Sequence, residues 1–204
     1  LEAPFSRKKK KEQDLAVTIE GLLAAVYASP DDDAPREVCA DWYSERGDPR
    51  GEMITLQLAR HRDPSRGMSR REHALISKHG KAWAGPLDPW LENKPREHER
   101  GFLARGVFHL DRRLDTGNVA TLLHPAWATM RDLDLTAVTS PDVCFTMLRL
   151  PQLRHLRVVR GIDAETVARL AKASREEGAL PIEELDFHLS ASGRDDVAAA
   201  QRAI

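Results

Sequence analysis

Apolar residues in the first third of the chain recur at intervals of three and four. Leu15, Ile19, Leu22, Leu23, Val26 and Tyr27 form one stripe of an amphipathic helix beginning near Asp14, and Ser29-Pro30 stops it. Asp31, Asp32 and Asp33 then offer side-chain oxygens to the free amides of a second helix, with Pro35 just inside its start, where a missing N–H costs nothing. This helix spans about residues 35–45, with Val38, Cys39, Trp42 and Tyr43 apolar, and Gly47 suits the left-handed cap that ends it. Asp48-Pro49 restarts the chain, and Met53, Ile54, Leu56 and Leu58 carry a third helix to about Arg62. After a loop at 64–67, Ser69 and Glu72 form a capping box for a fourth helix that runs to about Lys78. Trp83, Leu87 and Trp90 follow on a proline-broken stretch, where aromatics either bind a ligand or, more commonly, seal the end of an apolar core.

The period changes in the second half. GFLARGVFHLD (101–111) alternates like a strand. MRDLDL (130–135), LRHLRV (153–158) and IEELDF (182–187) are each apolar at their first, fourth and sixth positions, and the second step between frames is longer than the first. Helical stretches separate them. Ser140-Pro141-Asp142 opens one that reaches Leu148, Asp163 caps another carrying Val167, Leu170 and Ala171, and residues 194–203 make a last one. With Leu133 and Leu135 inward, Asp132, Asp134 and Thr136 face outward. The corresponding outward sets are His155, Arg157 and Val159, then Glu184, Asp186 and His188, and setting Phe108 and Leu110 against the first frame adds His109 and Asp111. A row His109, Asp134, Arg157, Asp186 thus crosses the expected sheet with alternating charge. Such a row serves either as a ladder of ion pairs, each contributing about 0.2–1 kcal/mol, or as a charged surface for a protein partner.

Two of these patterns resemble known families. PDDDAPR followed by ADWYSERGDPRGE, set between an apolar helix and a segment ending LQ, resembles the bacterial repeat-companion domain over residues 22–58. The resemblance implies a helical module flanking a repeat array, with no catalytic activity. The three later frames and their helices resemble the irregular, helix-bearing class of leucine-rich repeats, although the familiar asparagine after the third apolar position is missing. The expected fold is therefore α/β: an N-terminal helical cap module followed by a short irregular leucine-rich-repeat-like α/β solenoid. Its divisions are a basic linker at 1–13, the helical module at 14–100 and the solenoid at 101–204. Within the signature, Arg36, Asp41, Glu45, Asp48, Arg50 and Glu52 offer three acid–base opportunities across a tight helical corner, with Trp42 as its packing plug. No nucleophile or histidine falls inside that cluster, which favours structure over chemistry there.

Composition narrows the partners. The 204 residues carry 31 basic and 32 acidic side chains, a formal net charge of -1, so no global field draws the chain to nucleic acid or an anionic membrane. Lys8, Lys9, Lys10 and Lys11 form a local basic run, read as a solvated linker, with phosphate contact aided by Arg70, Arg71 and Arg105 as the alternative. Cys39 and Cys144 lie far apart on apolar helical faces, so buried inert thiols and a reducing cytoplasm are expected, and no apolar run is long enough for a membrane span. The chain opens at Leu1, not at methionine, which reads as a trimmed end. No phosphate-loop, dinucleotide-binding, zincin or nucleophile-elbow motif occurs, and His73 and His79 are six apart, the wrong interval for one helix face. A non-catalytic protein-interaction module, without cofactor or metal, is the expectation. Nucleic-acid binding is the runner-up, and an enzyme with its site near Trp83, Trp90 and His98 is the third reading.

Overall fold

A computed structural model of the chain describes residues 18–92, 96–109, 120–138, 140–177 and 182–187. Helices α1 (Ile19–Ala28), α2 (Ala34–Ser44), α3 (Pro49–Arg62) and α4 (Arg70–Trp83) come first. Sequence-local chemistry sets their ends. Asp48 accepts from the Arg50 amide at 2.8 Å, Ser69 accepts from the Glu72 amide at 3.0 Å, and Gly47 turns the chain at φ +68°. The aspartate run divides its work: Asp32 accepts from the Ala34 amide at 3.0 Å, whereas Asp33 makes no capping bond to α2. Val26, Cys39, Ala40, Tyr43, Ile54 and Leu58 form the helical core, which Phe102 joins from the sheet.

Strands β1 (Glu97–Glu99), β2 (Phe102–Val107), β3 (Asp132–Asp134), β4 (Val158–Ile162) and β5 (Glu184–Phe187) make one sheet in chain order. The first pair is antiparallel and the remaining pairs are parallel, so the fold is mixed α/β with a mostly parallel sheet. Helices α5 (Pro141–Leu148) and α6 (Ala164–Glu177) follow β3 and β4. Their Cys144, Met147, Leu148, Val167 and Leu170 share a core with Leu133, Leu135, Val159, Ile162, Trp90, Phe108 and Trp127. Both cysteines are buried, and burial pushes each thiol up to about 11.

The register corrects the expected strand alignment. Leu133 lies opposite Gly106 and Val159, and Val159 opposite Leu185. Val159, expected outward, is therefore buried, and Val158 takes the outward place beside Asp132. The Arg157 amide donates to the Arg131 carbonyl and the Glu183 amide to the Arg157 carbonyl. Arg131, Arg157 and Glu183 are thus equivalent and evenly spaced, where the expected frames, headed by Met130, Leu153 and Ile182, were not. Leu153 ends a 3-10 turn (Pro151–Leu153), and Leu156 is the counterpart of Met130. On β2 the slip is two positions, because Val107 and not His109 opposes Asp134.

Two residues, Arg100 at φ +50° and Gly101 at φ +84°, join β1 to β2, the pair of left-handed positions that a tight twisted hairpin requires. A boundary at residue 100 falls inside this turn. The signature region of the helices grips it. Arg36, only 1% exposed, donates to the carbonyls of Arg100 (2.9 Å) and Pro30 (2.8 Å). Arg100 returns bonds to the Pro30 carbonyl, the Asp31 carbonyl and the Asp33 carboxylate. Gln57 donates to the His98 carbonyl and accepts from the Gly101 amide, both at 2.7 Å. A methyl group on Gly101 would collide with Ile54.

The acid–base network expected at the helical corner is thus replaced by other contacts. Arg36 serves two buried carbonyls, which burial would otherwise leave poorly satisfied. Arg50 lies over the rings of Tyr43 (5.4 Å) and Phe102 (5.0 Å), Glu52 pairs with Arg71 of α4, and Asp48 caps α3. Asp41 and Glu45 are exposed, and Glu45 approaches its neighbour Arg46 at 3.7 Å. Trp42 is half-buried under the Arg46 guanidinium, and Tyr43 is the buried ring.

Candidate functional site

On the sheet face opposite α5 and α6, helix α4 stands over β1, β2 and β3 and leaves an open groove of about 700 Å³. Gly80 sets how closely the helix approaches: a methyl there would meet His98 Cε1 and Ile76 Cγ2, each at 3.3 Å. His73, Ser77 and Lys81 point along one stripe of α4 into the groove, and all three are exposed. Beneath them His98 is 4% exposed, and neither ring nitrogen has a hydrogen-bond partner. Burial, then the charges of Arg50 and Arg96, push its pKa down to about 4, opposed only weakly by the Gly80 backbone, so the ring is neutral at pH 7. Arg60 closes one end. Its Nη2 holds the buried Glu72 at 2.8 Å, Gln57 donates to the same carboxylate at 3.0 Å, and Arg60 Nε is buried without a partner.

The floor of the groove opens onto a charge ladder that crosses all five strands. Arg105 bridges Glu97 (3.0 Å) and Asp132 (3.1 Å); Arg160 bridges Asp132 (3.2 Å) and Glu184 (3.8 Å). The alternation of sign was expected, and so were Asp132 and Glu184 on this face, but the row itself is different, with these two in the places given to Asp134 and Asp186. Arg105 and Arg160 replace His109 and Arg157, Glu97 extends the row onto β1, and the even spacing of Asp134, Arg160 and Asp186 was the signal in the sequence that would have set these three side by side.

The remaining expected residues scatter. Asp134 accepts from the Thr136 amide at 2.8 Å, closing the turn after β3. His109 lies past the end of β2, 4.0 Å from Glu92. Asp186 opposes Arg160 along the backbone, while His188, Leu110, Asp111, residues 194–203 and the Lys8–Lys11 run lie outside the described residues. His155 and Arg157 precede β4 and turn to Asp31, at 3.4 and 3.9 Å. Asp31 also meets Arg131 at 2.7 Å, so an aspartate expected as a helix cap instead joins the helical layer to the base of the sheet. Desolvation, together with Arg131, lowers the His155 pKa, which Asp31 only partly offsets.

Of the three residues proposed around a junction site, Trp83 and His98 meet edge to face at 6.5 Å. Trp90 belongs to the other core, stacked on Phe108 at 5.9 Å and donating to Thr121 at 2.9 Å. A polar groove does exist at His98. Its imidazole is bonded to neither a hydroxyl nor a carboxylate, so the chain of nucleophile, base and orienting acid that acyl-transfer chemistry needs is not assembled.

Among the described residues no cluster of three or more metal-ligating side chains occurs, and no helix is long and apolar enough to cross a membrane. Comparison of the chain with protein-family models, with curated proteins and with solved structures finds no match in any of the three.

Proposed function

We propose that this chain is a non-catalytic protein-interaction module: a helical cap of the repeat-companion kind joined to a short leucine-rich-repeat-like solenoid, acting as a scaffold, adaptor or regulator in a reducing cytoplasm. The observation that carries the reading is the groove between α4 and the sheet face left uncovered by α5 and α6. Parallel strands in chain order, with evenly spaced equivalent positions and helices packed on one face, support the repeat architecture. Such arrays present the other face to partners. A nucleic-acid role finds less support. Arg71 is held by Glu52 and Arg105 by Glu97 and Asp132, so two of the three arginines suggested for phosphate contact are already neutralised.

A photo-crosslinking amino acid placed at Ser77 in the groove, and separately at Lys172 on α6, tests the reading in cells of the source organism. Discrete protein adducts from position 77 and none from 172 are expected. Adducts from 172 alone, or from neither position, would overturn it.

A further inference from the structure

We infer that the groove receives an acidic segment of the partner, with carboxylates on alternate residues of an extended chain; the inference rests on the interaction reading above. Its basis is which polar groups around the groove are committed and which are left over. Every carboxylate lining it is in an ion pair: Glu97 with Arg105, Asp132 with Arg105 and Arg160, and Glu99 with Arg100 at 3.8 Å and His61 at 3.7 Å. The lining guanidinium groups are engaged as well, Arg96 by Asp88 and Arg131 by Asp31. Among the described residues, what remains open to the groove is the Lys81 ammonium, the His73 ring and the Ser77 hydroxyl, with the Arg60 Nε–H and the His98 ring also unpartnered but buried beneath them. Lysine and the arginine Nε–H can only donate, and serine and the histidine rings donate as readily as they accept. The uncommitted capacity is therefore rich in donors and carries a positive charge, and an anionic ligand rich in acceptors complements it.

Spacing narrows the ligand further. His73, Ser77 and Lys81 recur at every fourth position of α4, so they climb the groove in steps of about 6 Å. Side chains at alternate residues of an extended peptide, on one face, are spaced by about 6.6–6.8 Å. An Asp-x-Asp or Glu-x-Glu run laid along α4 meets these donors in register.

The test uses the full chain and a fluorescein-labelled peptide of five Glu-Ser repeats, read by anisotropy at low salt. Its Gln-Ser counterpart and a single-stranded oligonucleotide of equal charge serve as the other arms. Binding of the Glu-Ser peptide is expected, with a loss of tenfold or more in Lys81→Glu, a smaller loss in Lys81→Gln, and none in the distant Lys172→Glu. Glu97→Gln, which removes one of the two carboxylates on Arg105 and with it a negative charge from the groove, is expected to tighten binding several-fold. Failure of the Glu-Ser peptide to bind, equal losses in the two lysine reversals, or a Lys81-dependent preference for the oligonucleotide overturns the inference. If crosslinked adducts at position 77 form and excess Glu-Ser peptide does not displace them, the interaction reading stands and this inference falls.

Discussion

Arg36 is a cation placed almost wholly inside the protein, and it donates to two carbonyl oxygens instead of a carboxylate. Desolvation, then the neighbouring charges of Arg100 and Arg131, push its pKa down to about 10, so it is charged at any ordinary pH. Replacing it with methionine keeps most of the volume, removes the Arg36 bond to the Arg100 carbonyl and leaves the Pro30 carbonyl only its longer bond from Arg100, and a loss of about 2–4 kcal/mol in urea unfolding is expected. Lysine should rescue little, since a point charge cannot fork to two acceptors. His98 gives the second prediction at this scale. Its folded pKa is depressed to about 4, while the unfolded ring titrates near 6.5. The stability linked to this ring is therefore complete above about pH 6.5 and is lost as pH falls from there toward 4, about 3 kcal/mol in all. His98→Gln should flatten that part of the stability profile; equal slopes for the two proteins between pH 6.5 and 4.5 would contradict the burial argument.

At the level of elements, the hairpin of β1 and β2 depends on its turn. Gly101→Ala meets both a left-handed backbone and the side chain of Ile54, so a loss of at least about 2 kcal/mol is expected by thermal or urea unfolding. The charge ladder is softer. Arg160→Ala removes two partly exposed pairs and should cost about 0.5–2 kcal/mol, a difference that shrinks in high salt. Much of this level was legible in the sequence, since Asp48, Ser69 and Gly47 end helices by chemistry local to them, and Asp163 likewise caps α6 through the Thr166 amide at 2.7 Å. The strand register was not. Leu153 and Leu156 are both apolar and three apart, so periodicity accepts either as the head of the frame, and only pairing across the sheet selects Leu156. The grip on the hairpin was equally hidden, because Arg36 and the carbonyl it serves are 64 residues apart and nothing local couples them. For the groove, α4 could be read as a helix, but His98 beneath it could be placed only by the hairpin that turns β1 under Gly80.

Across the whole molecule, Asp31 ties the loop before α2 to Arg131 and His155 at the base of the sheet. Its side chain is 55% exposed, so Asp31→Asn should cost no more than about 1 kcal/mol globally. Faster amide exchange is expected instead at Arg131 and Arg157, where β3 and β4 begin. Unchanged exchange at both would show that the apolar contacts of Phe102 and Tyr27 hold the two layers unaided.

β1 runs against the other strands, its His98 carbonyl is taken by Gln57, and α4 crowds it at Gly80. Among the described residues, the leading side of the sheet is thus covered at His98 by α3 and α4. In the proposed array, lengthening by duplication is one-directional: new units, each a strand and its following helix, can enter only after β2, while the helices and the groove stay as they are. Relatives with longer chains should differ in the number of units beyond that point and keep Arg36, Gln57, Arg100 and Gly101 together.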